Sequence, residues 1–195
     1  MSSAVQLLKE RIQAEGKNLG NGILKIDSIL NHQLDIPLMM ACGEEIAQRF
    51  ADKNVTRILT AEVSGIAPAM AAGHAMRIPV VYARKIKPVT IFGPVFLETA
   101  PSHTKGMEVN LIVSAEFLPA GERVLIIDDF LASGKTLRSL VRIVRSAECE
   151  LVGIACIVEK IFEEGRTMLS KYNVPIETLV KVISMDDGQI ILEDG

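Results

Sequence analysis

Two adjacent acids close a run of aliphatic residues in Val124-Leu125-Ile126-Ile127-Asp128-Asp129, and beyond Phe130-Leu131 comes a stretch of mostly small residues, Ala132-Ser133-Gly134-Lys135-Thr136. The aliphatic run predicts a strand and the small residues a loop that opens a helix. A helix N-terminus offers free backbone N–H groups, which bind an anion such as a phosphate. Gly134 relaxes the dihedral limits so that the backbone can close in, and Thr136 adds a hydroxyl donor. The carboxylates would repel a phosphate, so they suit vicinal hydroxyls or a hydrated Mg²⁺, which takes one or two carboxylates plus substrate oxygens. Gly134-Lys135-Thr136 also reads as the end of a Walker A loop. That motif needs a glycine five residues before Gly134, and Asp129 stands there. The plain alternative is an acidic turn after a buried strand.

Such a segment works at the carboxyl edge of an open sheet, so the rest of the chain must supply neighbouring strands and covering helices. Arg57-Ile58-Leu59-Thr60-Ala61 reads as a strand followed by Gly65 and an Ala-rich helix to Met76, and Val80-Val81-Tyr82-Ala83 reads as a second strand. Val124 to Ile127 leads to a helix from about Lys135 to Ala147, and Leu151 to Val158 leads to one from about Phe162 to Tyr172. Strands this apolar on both faces belong in a parallel sheet covered by helices. Between the second and third strands, residues from about Lys85 to Glu108 are the least regular, with Pro88, Gly93, Pro94, Pro101 and Gly106. An insertion of that length in a compact domain is more often functional than idle. Before the core, Val5, Leu8 and Ile12 mark a helix stopped by Gly16, and Ile23-Leu24-Lys25-Ile26 is a short apolar run. A second helix, with Leu38, Cys42, Ile46, Ala47 and Phe50 on one face, starts at Pro37. These pieces read as an N-terminal appendage leading into the core.

The chain has 195 residues, and 21 Lys+Arg against 24 Asp+Glu give a net charge of −3. A chain of this size buries roughly 70% of its unfolded surface, enough for a core without disulfides or a structural metal. The 49% hydrophobic content excludes disorder, and no apolar run approaches the length of a membrane span. The first residues lack a signal peptide's basic flank and apolar centre, so the expectation is a soluble, intracellular protein. Cys42, Cys149 and Cys156 match no zinc or redox spacing and read as buried, reduced thiols. The acidic balance argues against a nucleic-acid partner.

Val124 to Thr136 resembles the phosphoribosyl pyrophosphate signature of the type I phosphoribosyltransferase family. Leu24 through Asn31-His32-Gln33, Glu62 to Pro68, Ala83-Arg84-Lys85 and Glu159-Lys160 are similar to that family's bacterial xanthine branch, so the likeness spans nearly the whole chain. The resemblance implies an α/β type I fold, a central, mainly parallel sheet flanked by helices, as one domain over 1–195. Within it, about 1–50 and about 176–195 would build a small hood and about 55–175 the core. It implies a pentosyltransferase of purine salvage that moves the 5-phosphoribosyl group from phosphoribosyl pyrophosphate to xanthine, with Mg²⁺ as cofactor. A cytoplasmic homodimer with no nucleic-acid or membrane partner is the expected setting.

Carried over by position, Asp128 and Asp129 would hold the ribose 2′- and 3′-hydroxyls as catalytic residues, with both also possible metal ligands. Ala132, Ser133, Gly134, Lys135 and Thr136 would bind the 5-phosphate. Glu62, Val63, Ser64 and Gly65 match the pyrophosphate loop, with Arg84 and Lys85 as cations beside it. Leu24, Asn31 and Lys160 match the purine contacts. The chain departs from the family in two places. Many members carry two adjacent glycines where this one has Gly134-Lys135, which leaves Lys135 either turned to solvent or folded onto the phosphate, and Val63 replaces a small polar residue.

The base contacts make chemical sense. Lys160 donates to the carbonyl oxygens of an oxopurine and would repel adenine's exocyclic donor, whereas an Asn31 amide both donates and accepts. Xanthine's second carbonyl favours a site with a donor there. His32 lies in the turn beside Asn31, His74 on the Ala-rich helix, and His103, with Ser102, Thr104 and Lys105, in an insertion that would close over the reacting centre. Two other readings remain: a phosphoribosyltransferase for guanine, hypoxanthine or another base, and a non-catalytic regulator that senses phosphoribosyl pyrophosphate.

Overall fold

The computed structural model describes residues 3–101 and 108–194. Helix α1 (Ala4–Glu15) is capped by Ser3, whose Oγ accepts from the Gln6 N–H at 3.2 Å, and stops at Gly16 as its apolar spacing predicts. Strands β1 (Lys17–Asn18) and β2 (Leu24–Lys25) pair antiparallel, and a π-helical turn over Asp27–Asn31 leads to α2 (Ile36–Arg49). Asp35 caps α2 through the Leu38 N–H at 3.2 Å, with Pro37 in the first turn. Strand β3 (Arg57–Ala61), helix α3 (Ile66–Met76) and strand β4 (Val80–Ala83) fall where the sequence puts them.

The stretch expected to be irregular contains a strand. β5 (Val95–Pro101) pairs antiparallel with β6 (Glu108–Ser114). Ala100, Leu111 and Val113 turn inward, and Ser139 Oγ donates to the Thr99 carbonyl at 3.1 Å, so the hairpin lies against the helix that follows the acidic pair. β7 (Arg123–Leu131) also runs further than its aliphatic core. It passes through both acids because Phe130 and Leu131 pair with Val158 and Glu159 of β8 (Glu150–Lys160). Between them runs α4 (Lys135–Ser146). Helix α5 covers only Gly165–Ser170 rather than 162–172, since residues 161–164 turn back with the Glu163 N–H on the Lys160 carbonyl at 3.1 Å. β9 (Ile176–Ser184) and β10 (Ile191–Leu192) complete the chain.

Six strands form the central sheet in the order β10-β9-β8-β7-β3-β4, parallel except for the β10–β9 pair. Residues 176–184, which the resemblance places in a C-terminal hood, therefore lie in this sheet. The N- and C-terminal segments meet beyond it, where Asn18 Nδ2 donates to the Met185 carbonyl at 2.6 Å. Alternate strand residues feed two cores. Ile58, Leu125, Ile127 and Ile157 pack with α1, α2 and α3, whereas Leu59, Val124, Ile126 and Ile154 pack with α4 and the hairpin. By the same alternation Asp128 belongs to the α4 side and Asp129 to the side of the N-terminal elements. Cys42 and Cys156 are buried and Cys149 half-buried, all as free thiols; burial pushes Cys42 up to about 12.

From β3 the chain goes outward to β4 and then returns on the other side of β3 as β7. The loops after β3 and β7 thus diverge at a topological switch point, where open α/β sheets bind their ligands.

Helices α2 and α3 touch backbone to backbone at Gly43, where a Cβ would lie 2.6 Å from both Ala71 Cβ and Ala72 N. Gly43→Leu is expected to lower stability by about 1–3 kcal/mol through overpacking. A urea titration should show an earlier midpoint at unchanged slope, and an unmoved midpoint would mean that the helices part without cost.

Candidate active site

The loop between β7 and α4 closes tightly. Gly134 caps α4 with a left-handed φ of 72°. That conformation strains any residue with a Cβ, and here the space is also filled, since a Cβ would lie 2.9 Å from Gly165 Cα. The Gly165 N–H donates to the Ala132 carbonyl at 2.9 Å. A cavity of about 130 Å³ opens above the loop, walled by Asp128, Asp129, Phe130 and the backbone from Ala132 to Leu137. The five residues expected to hold a phosphate therefore share one concavity at a helix N-terminus. Lys135 is exposed and the Gly134 backbone is buried.

The two acids sit differently. Asp128 is 7% exposed; its Oδ1 accepts from the Asp129 N–H at 3.0 Å. The loop after β3 presses on it, for a Cβ on Gly65 would fall 2.6 Å from Asp128 Oδ1. Only glycine fits there. Burial, reinforced by the charge of Asp129, pushes the Asp128 carboxyl well above the usual carboxylate range, with Lys85 pulling weakly the other way. Asp129 is half-buried; its Oδ2 accepts from Asn31 Nδ2 at 3.0 Å and its Oδ1 from the Phe130 N–H at 2.9 Å. Among the described residues, no group of three or more His, Cys, Asp or Glu side chains could hold a metal. A cation here would rest on one or both acids and on the oxygens of its ligand, the donor set that suits Mg²⁺.

In the loop after β3, Ser64 is half-buried and Val63 is 74% exposed, so the apolar substitution faces solvent without filling the site. The Glu62–Val63 peptide is cis. Glu62 turns toward the end of β4, where Oε1 accepts from the Lys85 N–H at 2.7 Å and Oε2 pairs with Arg84 Nε at 3.1 Å. Its side chain thus holds the Arg84 guanidinium and the Lys85 backbone beside the loop. Arg84 exchanges backbone hydrogen bonds of 2.8 Å with Ile112, which ties this corner to the β5–β6 hairpin.

On the opposite side, Lys160 Nζ donates to the Gly22 carbonyl at 2.6 Å, lies 3.9 Å from Glu163 and sits 5.4 Å from the centre of the Phe130 ring. Desolvation holds its ammonium below the usual lysine range, while Glu163 and Asp129 oppose the shift. Asn31 reaches Asp129 from the π-helical turn, so the structure brings Asn31, Asp129, Phe130 and Lys160 together. Leu24 is different: its side chain is buried in the core, so only its backbone is free for a ligand. Phe130 was not singled out from sequence, although an aromatic directly after an acid pair at a strand end was the available signal. His32 and His74 are exposed. His103, with Ser102, Thr104 and Lys105, lies outside the described residues.

Residues 26–185 match the phosphoribosyl transferase domain family. The xanthine phosphoribosyltransferase of Deinococcus deserti is 45% identical over 192 residues, covering 98% of this chain and 100% of its own. That of Moorella thermoacetica is 43% identical over 188 residues, 96% of each chain. Among solved structures, the adenine phosphoribosyltransferase of Rhodothermus marinus superposes with a TM-score of 0.72 at 24% identity, covering 92% of this chain and 98% of that one. The one from Thermoanaerobacter pseudethanolicus gives 0.73 at 22%, covering 89% and 99%. Identities this low carry the fold and not the choice of base.

A carboxyl whose pKa is raised by folding contributes stability below its unfolded pKa and loses it as pH rises through the folded value. In metal-free buffer Asp128→Asn is therefore expected to raise Tm at pH 8, by roughly 2–4 °C, and by less at pH 4. A lower Tm at pH 8 would contradict a buried carboxyl held against its charge.

Proposed function

The chain belongs to the phosphoribosyltransferase family, with the type I fold, and from that membership we propose that it makes xanthosine 5′-monophosphate and pyrophosphate from xanthine and phosphoribosyl pyrophosphate, a purine-salvage reaction. The observation that carries this reading is kinship at 40–45% identity with several bacterial xanthine phosphoribosyltransferases over nearly the full length of both chains.

In this reaction a ring nitrogen of the purine attacks C1 of the ribose. The N–C1 bond forms as the C1–O bond breaks, the bonding pair leaves with pyrophosphate, and the imidazole proton of the purine is released to solvent. No protein nucleophile is required, so catalysis rests on positioning and on charge at the leaving group. The N–H groups at the start of α4 and the Thr136 hydroxyl bind the 5-phosphate. Asp129, with an accessible carboxylate, takes the ribose hydroxyls, and Asp128 lines the sugar's floor between the phosphate loop and Gly65. Ser64 and Gly65 present backbone donors to the pyrophosphate, and Glu62 aims Arg84 and Lys85 at it. Mg²⁺, when bound, neutralises pyrophosphate charge, and the acid pair with substrate oxygens supplies ligands that suit it. Phe130 offers a flat apolar face to the purine, Lys160 a donor to its carbonyl oxygens, and Asn31 an amide to its other edge.

The protein acts as a cytoplasmic homodimer in this reading. Free thiols suit a reducing compartment. β4 is the last strand of the central sheet, joined to β6 only at its end, and Tyr82, Ile86, Val89 and Phe92 on and after it are exposed, a surface that a second copy would cover.

Pyrophosphate release should be measured with phosphoribosyl pyrophosphate, Mg²⁺ and each of xanthine, guanine, hypoxanthine, adenine and orotate. Xanthine is expected to be preferred. Preference for another base would keep the sugar site and discard the base contacts, and silence with all five would favour a sensor. The double change Asp128→Asn with Asp129→Asn should cut kcat by about a hundredfold or more. Lys160→Met should raise KM for xanthine by about tenfold while leaving the affinity for phosphoribosyl pyrophosphate intact; equal losses for both substrates would remove Lys160 from the base site.

A further inference from the structure

Glu159 is the most deeply buried acid among the described residues, 1% exposed, and none of the roles above uses it. Its carboxylate is fully engaged. Oε1 accepts from Arg166 Nε at 2.6 Å, and Oε2 accepts from a terminal Arg166 nitrogen at 2.6 Å and from Thr178 Oγ1 at 2.7 Å. The other terminal nitrogen of Arg166 donates to the Ile176 carbonyl at 3.1 Å. One guanidinium thus joins the end of β8, the start of α5 and β9 in a bidentate arrangement that only arginine can make. Arg166 and Thr178 hold the Glu159 carboxyl below its ordinary range despite its burial.

The place of this cluster gives it consequence. Glu159 sits in register with Leu131, the last residue of β7 before the phosphate loop. Arg166 follows Gly165, whose N–H is bonded to the Ala132 carbonyl. There is no slack at that contact, since a Cβ on Gly165 would fall 2.7 Å from Leu131 Cδ1 and 2.9 Å from Gly134 N. A helix of one and a half turns such as α5 does not fix its own position. Whatever places Gly165 therefore places Gly134 and the first free N–H groups of α4.

We propose that Glu159, Arg166 and Thr178 are positioning residues for the 5-phosphate loop, acting through Gly165, so that affinity for the phosphate end of the sugar depends on three side chains that do not touch it. The proposal rests on the phosphoribosyl reading of that loop. A purely stabilising role makes a different prediction: with Glu159 buried and Arg166 42% exposed, replacing both by apolar residues would change stability and leave the choice between the two ligands untouched.

The test is calorimetric binding of ribose 5-phosphate and, separately, of pyrophosphate to the full chain with Mg²⁺. Two variants are compared with the unaltered protein: Arg166→Lys, which keeps the charge and loses the fork, and the double change Glu159→Leu with Arg166→Met, which leaves no unpaired buried charge if the lysine variant fails to fold. The expected result is a loss of about tenfold in ribose 5-phosphate affinity, with pyrophosphate affinity within about twofold of the unaltered chain. Unchanged ribose 5-phosphate affinity in the double variant overturns the proposal, as does a parallel loss for both ligands. Failure of the unaltered chain to bind either ligand overturns the phosphoribosyl reading itself, and the loop's positioning with it.

Discussion

A carboxyl group enclosed at the end of a central strand, beside a second carboxylate, is the constraint around which this molecule is arranged. Asp128 would be unfavourable in isolation, since desolvation and like charge both oppose its ionisation. It is kept there by a strand hydrogen-bonded on both sides, β3 on one and β8 on the other. Each neighbour carries a further part of the site past its own carboxyl end. From β3 comes the Glu62–Gly65 loop, and from β8 come Glu159, Lys160 and the turn to Gly165. Stability is thus spent at one point so that three ligand-facing segments converge within a single switch-point crevice.

Around that point the packing divides labour between fixed and open parts. The two apolar layers lock β3, β7 and β8 through alternate aliphatic residues, and glycines at 43, 65 and 165 let backbones approach where side chains would separate them. Small residues therefore act here as spacing devices. The proposed phosphate loop is pressed from beneath by Gly165 and bonded to it through the Ala132 carbonyl. The opposite wall is assembled from fewer contacts, Lys160 on the Gly22 carbonyl and beside Glu163 and Phe130, and Asn31 on Asp129.

Much of this was legible in the sequence because the relevant signals are local. Short runs rich in aliphatic residues mark β3 and β4 to the residue, and small residues after an acid pair mark the concave loop and the start of α4. The rest depends on pairing between distant segments. β7 extends through Asp128 and Asp129 because β8 offers partners, which no propensity of aspartate would suggest. The β5–β6 hairpin is hidden by Pro94, Pro101 and interspersed polar residues, and becomes a strand pair by packing on α4. Glu62 reads as part of a loop that meets an anion, yet its carboxylate pairs with the Arg84 guanidinium and accepts from the Lys85 backbone N–H. Leu24 matches a base contact by position, while its side chain belongs to the core.

The polar groups of the proposed base site are satisfied within the protein: Asn31 by Asp129, and Lys160 by the Gly22 carbonyl. Unpaired, the largely buried Lys160 ammonium would carry the cost of an unsatisfied donor, whereas the exposed Asn31 amide would turn to water. A purine entering between them must replace those bonds with its own carbonyl oxygens and ring nitrogens, so the gain from each contact is a difference between two hydrogen-bonded states. Such a site discriminates by what fails to replace the lost bond. In the proposed reaction a base that meets Lys160 with a donor would leave the ammonium either unpaired or still on Gly22. The Asn31–Asp129 bond adds a second condition, because a sugar that engages Asp129 frees the amide to turn toward the base. Through the Asn31–Asp129 bond the acid pair and the proposed base wall are joined, so in the proposed reaction sugar binding and base binding would be coupled at Asp129.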